Sequence, residues 1–498
     1  MGKTIIYQML PRLWGEGRFS SIDGATFDYL RSLSITHIWY TGVIRHSTAQ
    51  PFVKGNPGSP YAIEDYYDVS PYLADDEAGR MAEFEDLVRR THDAGFKVII
   101  DFVPNHVGRD YGQVRSRTDV VYLGDEDDRS EHWKPENDFF YSPGQALRLP
   151  MGLSYDEFPA RATGNCYTPA PSADDWYDTV KINYCDFHTG TWDRMLDILR
   201  YWISKGVDGF RCDMAELVPR EFFKWAISSV KTEHPGTLFI AEVYTKENYA
   251  AYIKDVGFDL LYDKSGLYDS LRAVVEANSP GRVLPPEMWQ STRTLTWNWQ
   301  YLGGLQSRML NFLENHDEQR FASKEFAADS RRTFAPLVMS SAFNTAPFMI
   351  YFGEEVGESA PESGDGRTSI FNFIKVGSLQ RLYSHLHGGK ECLTEAEQGM
   401  LVRFRNTMTF AASPVAADGG TYDLCFCNTS SAGFDSDRHF AFLRYNGNAV
   451  VLVLLNFSAA PADVEVCIPE AAASLTGVRC GSIKVHAEAY DASITSIK

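Results

Sequence analysis

The 498-residue chain exceeds what one ordinary hydrophobic core holds, so two or three domains are expected. Its formal charge of -19 argues against nucleic acid and anionic membrane surfaces as partners, since both call for Lys and Arg. Hydrophobic content of 44% with 13% aromatics supports globular packing, and no apolar run reaches the length of a transmembrane helix.

The N-terminus enters an apolar run at 5–9 that is too short for a secretory signal, and the eight cysteines show neither Cys-x-x-Cys nor metal-ligand spacing. A cytoplasmic location with reduced thiols is therefore expected. Apolar, β-rich runs follow at 37–40, 97–103, 210–212, 238–243, 258–262, 308–313 and 348–352, with helical stretches between them. One of these stretches, 81–94, has amphipathic spacing and is closed by Gly95. Eight such units predict an α/β chain folded as a closed (β/α)8 TIM barrel, with function on the loops at the C-terminal ends of the strands.

Two segments break the alternation. Residues 107–183 are rich in Gly, Pro, Asp and Tyr and lack a long helical pattern, which predicts a small inserted domain after the third strand. Beyond 388, short β-rich runs at 421–427, 439–445, 450–456, 462–468 and 483–487 predict a C-terminal antiparallel β-sandwich. The expected division is barrel at 1–106 and 184–388, insert at 107–183 and sandwich at 389–498.

Charged residues that an apolar strand would not choose collect at the strand ends. Arg211 and Asp213 alternate onto one side of the fourth strand, where the cation would hold the carboxylate ionised. An Arg-x-Asp pair alone is more often a structural ion pair. However, a closed barrel would bring Asp213, Glu242 and Asp317 to one mouth with Arg211, His106 and His316, a grouping costly for stability and better explained by catalysis. Glu242, between Ala241 and Val243, would be raised toward neutral pH by desolvation and by the charge of Asp213. Asp101, at the start of its motif, is read as structural.

At these positions the chain resembles the α-amylase family of retaining glycoside hydrolases. The motifs are "DFVPNH" at 101–106, "GFRCDMA" at 209–215, "IAEV" at 240–243, "FLENHD" at 312–317 and "VKINY" at 180–184. The last looks closer to the "MPKLN" of neopullulanase and cyclomaltodextrinase relatives than to a typical amylase. The resemblance implies Asp213 as nucleophile, Glu242 as general acid/base and Asp317 as transition-state stabiliser. It further implies Arg211, His106 and His316 as hydrogen-bond partners of the sugar and Tyr61 as an aromatic platform beneath it. Asn105 matches a calcium-binding position, so calcium is a candidate cofactor with Asn105 as a candidate ligand, although no metal site is assigned. Glu216 and Leu217 stand where typical α-amylases carry Lys-His, a departure that puts the usual contacts on the leaving side in question.

The expected activity is hydrolysis of mainly α-1,4-glucosidic bonds in maltodextrins or starch, through a covalent glycosyl-Asp213 intermediate. The expected partner is an oligo- or polysaccharide α-glucan. A glucanotransferase would use the same site with a sugar acceptor. A non-catalytic sugar-binding homologue would have lost a catalytic acid, and all three are present.

Overall fold

The computed structural model describes residues 2–279 and 290–498. Eight parallel strands close into a barrel in which each strand pairs with its neighbours in the sequence. They are β1 (Ile5–Met9), β2 (His37–Tyr40), β3 (Lys97–Phe102), β4 (Gly209–Cys212), β5 (Leu238–Ala241), β6 (Leu260–Tyr262), β7 (Met309–Phe312) and β8 (Phe348–Tyr351). Every expected strand is present, with ends shifted by three residues at most.

Alternation along each strand builds two different cores. Ile6, Trp39, Ile99, Ile240, Leu260, Leu310 and Met349 fill the barrel interior. The residues between them pack outward against the helices, as Phe84, Leu87 and Val88 of the helix Arg80–Asp93 do in return. That helix stops where Gly95 takes φ +92°, a left-handed conformation that glycine adopts without steric cost. Each fully buried aliphatic side chain contributes about 1.5–3 kcal/mol of transfer free energy. Toward the C-terminal end the interior turns polar, at Gln8, Asp101 and Arg211, all buried.

Between β3 and the helix Gly190–Ser204 that leads into β4, the chain forms short ladders. His106–Gly108 pairs antiparallel with Thr179–Lys181, and Tyr141–Ser142 with Ala160–Arg161. A buried pair, Arg109 Nη1 to Glu157 Oε1 at 2.7 Å, ties the segment together, with Arg161 on the other oxygen of Glu157.

The C-terminal strands are β9 (Gly420–Asp423), β10 (His439–Asn446), β11 (Ala449–Asn456), β12 (Ala462–Ile468), β13 (Gly481–Ala487) and β14 (Ala492–Ser496). They form an antiparallel sheet in the order β9-β10-β11-β14 and a β12-β13 hairpin. Leu443, Leu452 and Leu454 share one apolar core with Val464, Val466 and Val485. The strand expected at 421–427 is shorter. The Asp423 carboxylate accepts the Cys425 N–H at 2.7 Å and turns the chain into the short helix Cys425–Asn428. Cys425 and Cys427 accordingly lie on a helical turn and not on a strand.

Candidate active site

Register places the acids. Arg211 of β4 stands beside Asp101 of β3 and Ile240 of β5, and Cys212 stands beside Ala241. One residue further on, Asp213 N–H donates to the Phe102 carbonyl at 2.9 Å and Glu242 N–H to the Cys212 carbonyl at 3.2 Å. The two carboxylates therefore leave adjacent strands at the same height. Gly209 makes this approach feasible, because a Cβ there would sit 2.8 Å from the Leu238 Cβ.

Arg211, with no exposed surface, bridges them. Nη1 lies 2.5 Å from Asp213 Oδ1 and Nη2 lies 2.8 Å from Glu242 Oε2, with Asp101 Oδ1 3.6 Å from Nη1. A buried guanidinium left unpaired would cost several kcal/mol; here it is matched by acids on three adjacent strands. Burial pushes the Glu242 carboxyl up, Arg211 pulls it down, and the negative charge of Asp213 pushes it up again. Burial raises Asp213 as well, against the pull of Arg211. Arg211 pulls Asp213 toward the ionised form, and desolvation opposes it.

Met214, directly after Asp213, has φ 45° and ψ 43°, an uncommon conformation for a residue with a side chain. Its N–H donates to Glu242 Oε2 at 2.7 Å. The other oxygen, Oε1, accepts from the Tyr244 hydroxyl.

His316 and Tyr61 form a second group. The Gln8 amide donates to His316 Nδ1 at 2.8 Å, which makes Nε2 the protonated nitrogen. Nε2 lies 2.6 Å from the Tyr61 hydroxyl and 3.2 Å from Asp317 Oδ2. Tyr61 in turn donates to Asp101 at 3.2 Å and packs its ring on His316, with centroids 5.2 Å apart. Burial holds His316 well below the usual imidazole range and pulls His106 down to about 4, so both are neutral at pH 7. Burial also pushes Asp101, which Trp39 Nε1 contacts at 3.1 Å, up to about 7.

One cavity of about 290 Å³ takes in Tyr61, His106, Asp213, Glu242, His316 and Asp317. Six of the seven expected site residues thus meet around one space; the seventh, Arg211, lies behind it. A neighbouring cavity of about 560 Å³ also borders His316 and Asp317. The Asp317 side chain is 43% exposed, which leaves it open to a ligand. Sequence reasoning did not single out Tyr244, or Trp176, whose ring lies 5.3 Å from that of His106. An aromatic two residues beyond a strand-end acid was the available signal for Tyr244.

Asn105 bears on calcium. Its Oδ1, the oxygen a calcium ion would use, accepts from the Lys181 ammonium, whose next oxygen is the Leu217 carbonyl at 3.4 Å. Asn105 Nδ2 donates to the Gly164 carbonyl at 3.1 Å. Burial pulls Lys181 down to about 8, so it is still charged at pH 7. No carboxylate among the described residues lies within ion-pair distance of it. A cation of the protein's own thus fills the oxygen cage, and the residues do not fit a calcium ion there. Chelation is expected to leave the melting temperature and turnover unchanged. Lys181→Met is expected to destabilise by about 1–3 kcal/mol, the worth of hydrogen bonds to a charged group. Thermal unfolding with and without chelator checks both; a melting temperature that falls on chelation would restore a metal to this position.

Comparison with known proteins gives concordant results. The family described as alpha amylase, catalytic domain, matches residues 21–374. A cyclomaltodextrinase from Thermoanaerobacter pseudethanolicus is 26% identical over 381 residues, covering 73% of this chain and 57% of the relative. An alpha-1,4-glucan:maltose-1-phosphate maltosyltransferase from Picrophilus torridus is 25% identical over 265 residues, 51% of this chain and 35% of the relative. The chain thus spans little more than half the length of the first of these relatives. Among solved structures, a maltogenic α-amylase from Thermotoga neapolitana superposes with a TM-score of 0.63 at 20% identity, covering 99% of this chain and 96% of the other.

Proposed function

The chain belongs to the α-amylase catalytic-domain family, and on that premise we propose that it hydrolyses mainly α-1,4-glucosidic bonds of maltodextrins or starch by double displacement. Asp213 attacks the anomeric carbon. Glu242 gives its proton to the departing oxygen and later takes one from water, while Asp317 adds negative charge beside the developing oxocarbenium ion. The observation that carries this reading is the Arg211 bridge, which holds two carboxyls side by side on one cavity, with burial and the Asp213 charge both raising Glu242.

His106 and His316, neutral and on the cavity, are assigned to sugar hydroxyls, and Tyr61 to the apolar face of the same sugar. We assign Arg211 to holding the carboxylates instead of the sugar, since both its terminal nitrogens are committed and it has no exposed surface. The division into barrel (1–106, 184–388), insert (107–183) and sandwich (389–498) belongs to the same reading; the short ladders of the insert and the separate apolar core of the C-terminal strands support it.

Incubation with maltoheptaose tests the reaction. Hydrolysis is expected to yield only shorter maltooligosaccharides, detected by chromatography with mass analysis, and cyclodextrin and pullulan in parallel define ring and linkage preference. Chains longer than seven units as the main products would show that a sugar hydroxyl, not water, resolves the intermediate, as the name of the maltosyltransferase relative implies for that protein. No turnover of any α-glucan would remove the reading.

A further inference from the structure

Glu242 has one oxygen free to exchange a proton with a substrate. Oε2 already faces two donors, Met214 N–H at 2.7 Å and Arg211 Nη2 at 2.8 Å, so a proton there would point against positive partners. The transferable proton therefore sits on Oε1. That oxygen is where the Tyr244 hydroxyl stands, on a side chain that lines the catalytic cavity and is 37% exposed.

The backbone at Tyr244 is held by Glu216. Glu216 accepts the Tyr244 N–H at 2.8 Å, the Thr245 N–H at 3.1 Å and the Asn248 side-chain amide at 2.8 Å. One carboxylate from the loop after β4 thus gathers the start of the loop after β5. Glu216 is one of the two residues that stand where typical α-amylases are expected to carry Lys-His, and its side chain here clamps backbone.

We propose that Tyr244, set by Glu216, is a positioning residue for the acid/base: its hydroxyl holds Glu242 Oε1 toward the leaving oxygen and stabilises, by donation, the charge left there when the proton departs. The inference rests on the assignment of Glu242 made above. In the first half-reaction the Oε1 proton passes to the glycosidic oxygen. The bond from that oxygen to C1 breaks with its electron pair going to the oxygen, and a new bond forms between C1 and an Asp213 oxygen. Tyr244 donates to Oε1 throughout, and the bond strengthens as that oxygen becomes a carboxylate's. In the second half, water attacks C1, the bond to Asp213 breaks with its pair returning to the carboxylate, and the proton of water moves to Oε1. The phenol keeps its own proton throughout, since burial and the Glu242 charge hold its acidity far below that of a free tyrosine.

The test is Tyr244→Phe, with kcat/KM measured against pH on maltoheptaose and on α-maltosyl fluoride, whose leaving group needs little protonation. A hydrogen bond to a charged group corresponds to roughly 10- to 100-fold in rate, so maltoheptaose turnover is expected to fall by about that factor while the fluoride changes little. The lost donor served the ionised form, so the Glu242 pKa rises and the basic limb of the profile moves to higher pH. Glu216→Ala is expected to reproduce both effects in smaller measure. An unmoved basic limb, or equal loss on both substrates, overturns the inference. Glu242→Gln in the same series separates the two readings: if it keeps wild-type turnover, the acid assignment itself falls. If it shows a leaving-group-dependent loss while Tyr244→Phe leaves the basic limb in place, only the role of Tyr244 is lost.

Discussion

Asp213→Asn is expected to lower maltoheptaose turnover by about four orders of magnitude or more while the protein stays folded. The amide keeps the shape of the carboxylate and its oxygen can still accept from Arg211 Nη1, but it has no anionic oxygen with which to form an ester. Stability should change modestly. Arg211 would retain Glu242 at 2.8 Å and Asp101 at 3.6 Å, so no naked charge is created and the loss should fall below the roughly 3–5 kcal/mol seen when a buried pair is broken outright. Thermal unfolding of the variant checks that half of the expectation. The chemical half is checked by treating the native protein with a 2-fluoro maltosyl fluoride, which forms the intermediate faster than it is hydrolysed, and sequencing the labelled peptide by mass spectrometry. The label is expected on Asp213; finding it on Glu242 or Asp317, or finding wild-type turnover in the Asn variant, would reassign the nucleophile.

The barrel was legible because its signal is repetitive. Each strand is a short apolar run bounded by polar residues, and eight of them in alternation with helices leave few other architectures. The acids were legible for the opposite reason, since Asp213, Glu242 and Asp317 interrupt apolar strand ends where burial is expensive. What the sequence did not carry is which atoms meet. Arg211 was read as a partner of Asp213 and of the sugar. The register of β3, β4 and β5 instead gives it three carboxylates and takes it out of the cavity.

Asn105 invited a calcium ion by its position, and only the pairing of His106 with Lys181 across the insert shows that an ammonium arrives there first. The Glu216-Leu217 departure likewise looked like a loss of contacts. In space Glu216 clamps the Tyr244 loop, and the Leu217 carbonyl faces Lys181. The strand at 421–427 was overread because Cys425 and Phe426 suit a strand, while the turn made by Asp423 is a single hydrogen bond that no periodicity reveals.

Glu242→Gln separates the two halves of the proposed cycle. The amide oxygen should take the place of Oε2, where Met214 N–H donates and the Arg211 guanidinium stands in ion-pair contact, and this puts the NH2 group at Oε1, facing Tyr244 and the cavity. Such a side chain mimics the protonated acid in shape but cannot release the proton. Maltoheptaose turnover should therefore fall by about 10²- to 10⁴-fold, the usual worth of a positioned acid/base, with little change in KM. On α-maltosyl fluoride the first step needs little protonation and should still proceed, whereas the second stalls because nothing accepts the proton of water. The expected record is a burst of one fluoride per active site followed by slow release, with azide, a nucleophile that needs no base, restoring steady turnover. The basic limb of the native pH profile should also vanish, because the group that titrates there has been removed. Equal losses on both substrates, with neither burst nor rescue by azide, would mean that the proton comes from elsewhere in the cavity.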